Sequence, residues 1–371
     1  MQLPPLLDRA ADALPLVARV RARQRGLKIV VVGTGVIGGT VAAWVAPQHD
    51  RLYVLDRGET AESLRRHGLT VYPGDHPDRR TTVQVKVIDD LADVPDADVV
   101  LLGVKNYSLD AVACMVEERL GDRPLVVGMQ NGVENQQILP RYFPRSAYCV
   151  VSYNAWADAP GVIGYQKQGP LVIGTPDNTL QDELHELARV LNLGVETIVT
   201  DHLNDAAHSK LVINLTNSLT TLIGHRRREI SDPALFQKLL SNMTWEGVQI
   251  VRGAGYGECR LGGMPSWATI WAGSHLPRAI TKPIFEKNVA KMVLSSMAQD
   301  ILQRGGHESE LETINGYLLS LADRQGLSVP YNRAVYDMCR REFAKPTFAP
   351  LDVTEVYAEV QARMQAAPHN R

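Results

Sequence analysis

Short apolar runs alternate with amphipathic runs through the first half of the chain, and that rhythm sets the fold expectation. KIVVVG (28–33) reads as a strand with its exit turn, and Gly38 to Ala46 as a helix stopped by Pro47. RLYVLD (51–56) reads as a second strand, and TAESLRRHG as a helix ending in Gly68. LTVYPG and TTVQVKVID predict two strands that pair as a hairpin. DVVLLGV (98–104) and PLVVGMQ (124–130) are continuous apolar runs, as strands buried on both faces require. CVVSYNAWA and GPLVIG continue the strand signal, and a helix follows near 179–192. Strands separated by helices predict a mainly parallel, doubly wound sheet. From about residue 202 the strand signal fades and helical periodicity dominates. The chain thus divides into an extension (1–27), an α/β domain (28–200) and a mainly α-helical domain (201–371).

Composition narrows the function more than the fold. The 371 residues are 45% apolar and 22% charged, enough for two cores, and the formal net charge is −2. No broad basic surface is implied, so neither nucleic acid nor an anionic membrane is expected as a partner. Cys114, Cys149, Cys259 and Cys339 are far apart and form no CxxC pair, which predicts thiols of a reducing, cytoplasmic compartment and no metal site. No apolar run is long enough to span a bilayer. The first 27 residues carry Asp8 and Asp12 and place their basic stretch, Arg19, Arg21, Arg23 and Arg25, after the apolar Leu3 to Leu7, which fits a helical or mobile extension better than a targeting signal.

Gly33, Gly35 and Gly38 form a GxGxxG in VVGTGVIGGTVA, directly after a strand and directly before a helix. In that context the first glycine permits a tight turn, the second lets backbone approach a pyrophosphate, and the third allows close helix–strand packing. The helix N-terminus then offers unpaired N–H groups to the phosphates, so Gly33, Thr34, Gly35, Val36, Ile37 and Gly38 are candidate cofactor contacts. The second strand ends in Asp56-Arg57. The acid suits the ribose hydroxyls of NAD(H), and the arginine suits the 2′-phosphate of NADP(H), so the residues alone leave the cofactor open.

The segment HSKLVINLTNSLTTLIG (208–224) is apolar nearly all round except for Lys210, Asn214 and Asn217. At helical spacing both asparagines fall within roughly 40° of Lys210, with Thr221 near the same line and Ser218 beside it. A buried polar stripe needs partners, either in the protein or in a ligand. A buried lysine also shifts its pKa readily, which suits a proton donor. In SELETINGYLLSLADRQ (309–325), Ser309 and Glu312 predict a capping box, and Glu310 lies one turn before Ile314 on the apolar face. Lys105 follows one buried strand, and Gln130, Asn131 and Gly132 follow the next, where open α/β sheets bind ligands.

Taken in order, VVGTGVIGG, LDRGETAESLRRHGL, LLGVKNYSLDAV, GMQNGVENQ, the KLVIN helix and SSMAQD before ESELETINGYLLSLADRQGLSVPYN resemble the ketopantoate reductase (2-dehydropantoate 2-reductase) family over residues 28–345. The resemblance implies a Rossmann-like domain followed by a helical domain like the C-terminal one of 6-phosphogluconate dehydrogenase. It implies NADPH-dependent reduction of 2-dehydropantoate to pantoate, on the route to pantothenate and coenzyme A. It makes Lys210 and Glu310 the catalytic pair and Asn131, Asn214 and Ser296 substrate contacts. Asn217 joins them, because it stands one position before the family's second asparagine. Lys105 and Asn131 would face the nicotinamide, and Arg57 tips the cofactor toward NADP(H), with NAD(H) kept open by Asp56.

The chain departs from the family pattern at Ser218, in the stretch with Gly305-Gly306, and in segment 256–288 with Trp267 and Trp271. These departures lie on the substrate side. They keep in play a related reductase of branched or aromatic 2-oxo acids and, less strongly, an opine-type dehydrogenase. A non-catalytic NADP(H)-binding sensor is the reading from another class, and the joint presence of Lys210 and Glu310 argues against it. No signature forces an oligomeric state; a homodimer interface would be sought on the helical domain.

Overall fold

The structure is a computed structural model that describes residues 26–260, 264–303 and 309–366. The expectations for the N-terminal extension up to residue 25 and for Gly305-Gly306 lie outside the described residues.

Twelve strands form two sheets among the described residues. Ten of the twelve follow the apolar runs closely: β1 (Ile29–Val32), β2 (Leu52–Leu55), β3 (Leu69–Pro73), β4 (Thr81–Val83), β5 (Lys86–Ile88), β6 (Val99–Leu102), β7 (Leu125–Gly128), β8 (Ser146–Val151), β9 (Ala155–Ala159), β10 (Val162–Tyr165), β11 (Leu171–Gly174) and β12 (Thr197–Val199), the exceptions being β10 and β12. The large sheet runs β12-β11-β8-β7-β6-β1-β2-β5 and is parallel except where β11 meets β8. All four residues of β1, β6 and β7 are buried, because helices cover both faces. The chain order reverses between β1 and β6, which opens a crevice at the carboxyl ends of those strands.

The expected hairpin forms only in part. Thr81–Val83 pairs antiparallel with β3 in the small sheet β4-β3-β10-β9. The run then crosses to the large sheet, where Lys86–Ile88 pairs parallel with β2. The division follows polarity. The two threonines stay on an exposed edge, whereas Ile88 is buried in the core that also holds Leu55 and Leu91.

After β12 the described chain is helical. Helix Leu203–Asn214 packs on the 21-residue helix Pro233–Gly253, and its Leu211 and Val212, with Leu215 just beyond its end, join a core that also contains Val100 and Val126 of the sheet. The apolar cluster is therefore continuous across the two halves and fixes the helix against the sheet. The long helix starts cleanly, because the Asp232 carboxylate accepts from the N–H groups of Ala234 (2.8 Å) and Leu235 (3.0 Å) and Pro233 needs no partner. Its buried Glu246 accepts from the N–H groups of Tyr331 and Asn332 and so caps helix Pro330–Phe343.

Two local expectations are corrected. The helix over 208–224 is interrupted at Leu215, giving Leu203–Asn214 and Thr216–Leu222, but Leu215 keeps right-handed helical angles, so the polar stripe is not turned aside. The capping box at Ser309 is not reciprocal. Ser309 Oγ accepts from the Leu311 N–H, but the Glu312 carboxylate is drawn away to the Tyr336 hydroxyl and the Arg340 guanidinium.

Candidate active site

The first wall of the site is the glycine turn. The Gly33 N–H donates to Leu55 O, and its φ of +85° is one that a side chain would strain. A Cβ on Gly38 would lie 2.1 Å from Gly33 O, so only glycine lets helix Val36–Val45 pack this close to the turn. A Cβ on Gly35 would meet nothing within 4 Å, because that position faces open space. The helix has no side-chain cap and no acid in its first turn. Its N-terminal N–H groups and positive dipole end therefore remain for an anion, which fits the diphosphate of a dinucleotide.

Asp56 and Arg57 separate at the end of β2. One carboxylate oxygen of Asp56 accepts from both the backbone N–H (2.6 Å) and the hydroxyl of Thr34. Arg57 is exposed, at the cap of helix Gly58–His67, with its guanidinium against Met115 Sδ.

Opposite the turn, the C-terminal half brings its polar residues into the same cleft. It encloses about 2670 Å³ of space open to solvent. Its lining takes Gly33 to Ile37, Lys105 and Asn131 from the sheet side, and Lys210, Asn214, Asn217, Ser296 and Glu310 from the helical side. Gly38 lies beneath the lining and Arg57 outside it.

At the centre, Lys210 Nζ donates to Asn131 Oδ1 (2.7 Å), and Asn131 Nδ2 donates to Glu310 Oε2 (3.1 Å). This is the amide orientation that charge demands, carbonyl toward the cation and N–H toward the carboxylate. Ser296 Oγ donates to the same Glu310 oxygen at 3.3 Å. Asn131 is held from behind, since its backbone carbonyl accepts from Asn106 Nδ2 (2.9 Å). Gly132 follows with φ +89°, so the turn and the site are one feature. Gln130 ties the loop to the neighbouring strand, donating to Leu102 O (2.8 Å) and Val104 O (3.0 Å). Asn214 Nδ2 is buried and finds no acceptor among the described residues.

The two lysines are tuned in opposite directions. Burial pulls the Lys210 ammonium down to about 8, against the opposing pull of Glu310 and Cys149. Burial also works to lower Lys105, but the charges of Glu310 and Asp300 and the hydrogen bond to Asp300 outweigh it and hold Lys105 above the usual lysine range. Two titratable groups pushed apart in this way divide the labour of a site: one can release a proton near neutral pH and one stays charged.

Asp300 escaped the sequence reading. Its carboxylate accepts from Lys105 Nζ at 2.9 Å and lines the cleft. The signal was available, because Asp300 ends the SSMAQD motif one turn after Ser296. It sits in a π-helical turn, Gln299–Gln303, and Glu310 precedes a second one, Glu312–Gly316. Such wide turns re-aim side chains and recur at functional sites. Among the described residues no group of His, Cys, Asp and Glu is arranged to hold a metal ion, and no helix is long and apolar enough to cross a membrane.

Comparison with known proteins finds one family on both halves of the chain. Residues 29–178 match the ketopantoate reductase PanE/ApbA family and residues 202–342 match its C-terminal counterpart. The 2-dehydropantoate 2-reductase of Halobacterium salinarum is 25% identical over 324 residues, 85% of this chain and 98% of that protein. That of Archaeoglobus fulgidus is 25% identical over 84% of this chain and 97% of its own length. A PanE/ApbA family ketopantoate reductase from Ralstonia eutropha superposes with a TM-score of 0.64 at 23% identity, covering 90% of this chain and 99% of that one. A D-mandelate dehydrogenase solved with NADH and anilino(oxo)acetate shares the fold at 15% identity, with a TM-score of 0.67 over 91% of this chain and all of that one. With the family matched on both halves of the chain, the protein belongs to the ketopantoate reductase PanE/ApbA family and is a nicotinamide-dependent oxidoreductase.

Proposed function

We propose that the protein reduces the C2 ketone of 2-dehydropantoate to the hydroxyl of pantoate with NADPH. The observation that carries the reading is the chain of contacts Lys210–Asn131–Glu310, which sets a lysine of lowered pKa in the cleft that opens onto the glycine turn.

When bound, the nicotinamide supplies a hydride to the carbonyl carbon. The carbonyl oxygen then needs a proton, and Lys210 gives it. A pKa of about 8 keeps most of the ammonium protonated at neutral pH while making it a better acid than an ordinary lysine. Before transfer, the same ammonium stabilises the charge that builds on the oxygen. Glu310 accepts from a substrate hydroxyl and, through Asn131, holds Lys210 in place. Asn214, Asn217 and Ser296 orient the oxo acid, and the unpaired Nδ2 of Asn214 is a donor suited to its oxygens. Lys105, kept charged by Asp300, is the standing cation beside the nicotinamide and the substrate carboxylate.

The preference for NADPH rests on how the end of β2 is used. Asp56 already commits one oxygen to Thr34, whereas Arg57 is an exposed cation whose charge suits a 2′-phosphate. A second reading, reduction of bulkier branched or aromatic 2-oxo acids, draws on the small side chains of Ala155, Ala157 and Ala159 among the cleft-lining residues of β9.

Following NADPH and NADH oxidation with 2-dehydropantoate and a panel of branched and aromatic 2-oxo acids tests both readings. The highest kcat/KM is expected with NADPH and 2-dehydropantoate. Equal or better turnover of a branched 2-oxo acid would overturn the substrate, and cofactor binding without turnover of any oxo acid would overturn the enzyme reading.

A further inference from the structure

The substrate side of the cleft is reached by a strap of chain. Met292–Ser295 runs without regular structure from the end of helix Arg278–Lys291 to the short turn Ser296–Ala298, and it delivers Leu294 and Ser296 to the cleft lining. A helix end leaves carbonyls unpaired, and these are usually met by the residues that follow or by water. Here three consecutive carbonyls are met by long side chains from elsewhere. Arg226 donates from Nη2 to Ala290 O and from Nε to Met292 O, both at 2.7 Å. Gln166 donates from Nε2 to Lys291 O at 2.8 Å.

The two donors come from opposite halves of the protein. Gln166 directly follows β10, and Arg226 lies on the turn after helix Thr216–Leu222, which carries Asn217. The same helix holds the far end of the strap, where the hydroxyls of Thr221 and Ser295 meet at 3.3 Å. Ser295 Oγ in turn accepts from the Ala298 N–H and sets the turn that starts at Ser296. Arg226 has φ +70°, a left-handed backbone that costs a side chain energy and suits glycine. An arginine thus stands at a position where the backbone alone favours glycine, and its guanidinium makes two of the three grips on the root of the strap, one on the last turn of the helix at Ala290 and one on the strap's first residue, Met292.

We propose that Arg226 is a positioning residue for substrate binding: with Gln166 it fixes the root of the Met292–Ser295 strap, at Ala290 to Met292, so that Ser296 Oγ meets Glu310 in the cleft. The proposal rests on the reading of Ser296 as a substrate contact. Arg226 touches neither cofactor nor substrate and acts through Ser296.

The test uses the full-length protein as Arg226→Gly, Arg226→Lys, Ser296→Ala and the double variant Arg226→Gly/Ser296→Ala. Glycine removes the guanidinium and suits the positive φ, so the fold is spared. For Arg226→Gly, KM for 2-dehydropantoate is expected to rise about tenfold, with kcat within about threefold and the NADPH Kd from fluorescence titration within about twofold. Amide hydrogen exchange over 293–299 is expected to speed up about tenfold, a readout that needs no turnover. Arg226→Lys recovers part of the loss. The double variant shows the KM of Ser296→Ala alone, because effects routed through one residue do not add.

Unchanged exchange over 293–299 in Arg226→Gly overturns the proposal. So does an unchanged KM in that variant when Ser296→Ala raises it, and the reading of Ser296 then stands. An unchanged KM in Ser296→Ala overturns that reading and the proposal with it. Additive effects in the double variant, or equal loss of cofactor and substrate affinity, overturn the positioning role.

Discussion

Lys210 Nζ donates to Asn131 Oδ1 across 2.7 Å, so a lysine on the first helix after the sheet is locked to the loop that leaves β7. The same amide reaches Glu310, which leaves Lys210 and Glu310 linked through a neutral group. That arrangement lets burial dominate and leaves the ammonium at about 8. Removing the amine is expected to remove the proton donor and little else. Lys210→Ala should lower kcat by about 10²–10⁴, the usual worth of a positioned acid. NADPH affinity, read by fluorescence titration, should stay near that of the unaltered protein. Near-normal turnover would remove Lys210 from the reaction.

The pH dependence follows from the direction of the Lys210 shift. Its pKa in the folded protein, about 8, lies below the ordinary 10.5. The ammonium is therefore present below about pH 8 and lost above it. In the reductive direction kcat/KM should be level up to about pH 8 and then fall about tenfold per unit, and oxidation of pantoate should show the opposite limb. Stability follows the same shift with its sign set by proton count. Between pH 8 and 10.5 the unfolded chain holds the proton more tightly, so the cost of burying the charge is fully present below pH 8 and fades as pH rises through that window.

Exchanging the bridging amide for a charge tests whether its neutrality matters. Asn131→Asp places a carboxylate against Lys210, and an opposite charge at this distance favours the ammonium by about 1–3 units. The alkaline limb of kcat/KM should move upward by about that much. A limb that stays in place would show that Lys210 is not the group whose titration limits the reaction.

Local order explains what was legible in the sequence. The glycine turn needs only the spacing of Gly33, Gly35 and Gly38 between a strand and a helix. Lys210, Asn214 and Asn217 could be aligned because helical spacing fixes angles over two turns, and Leu215 keeps helical backbone angles at the break. Contacts set by the tertiary fold were not legible. The spacing of Asp300 from Ser296 was visible, but not that it meets Lys105 across 195 residues, and nothing periodic points from Arg226 to Met292, 66 residues on. The division of residues 81–88 between two sheets was hidden for the same reason. A run of strand-forming residues states its propensity, but the open edge beside β2 decides where Lys86–Ile88 goes.

The end of β2 offers a decisive comparison of cofactors. If Asp56 serves mainly to hold Thr34, its loss should loosen the glycine turn for either nucleotide. Asp56→Ala is then expected to raise the Kd of NADPH and NADH by a similar factor, about tenfold for the loss of a hydrogen-bonded carboxylate. Arg57 has no such structural partner among the charged residues described, and its guanidinium lies exposed beside Met115. Arg57→Ala should therefore spare NADH and weaken NADPH alone. A charge-assisted contact to a phosphate is worth about 1.5–3 kcal/mol, which corresponds to about 10–150-fold in Kd. Fluorescence titration of both variants with both cofactors separates the two outcomes. A selective loss of NADH in Asp56→Ala would mean that the carboxylate lets go of Thr34 to read the ribose, and the preference for NADPH would then have to be abandoned.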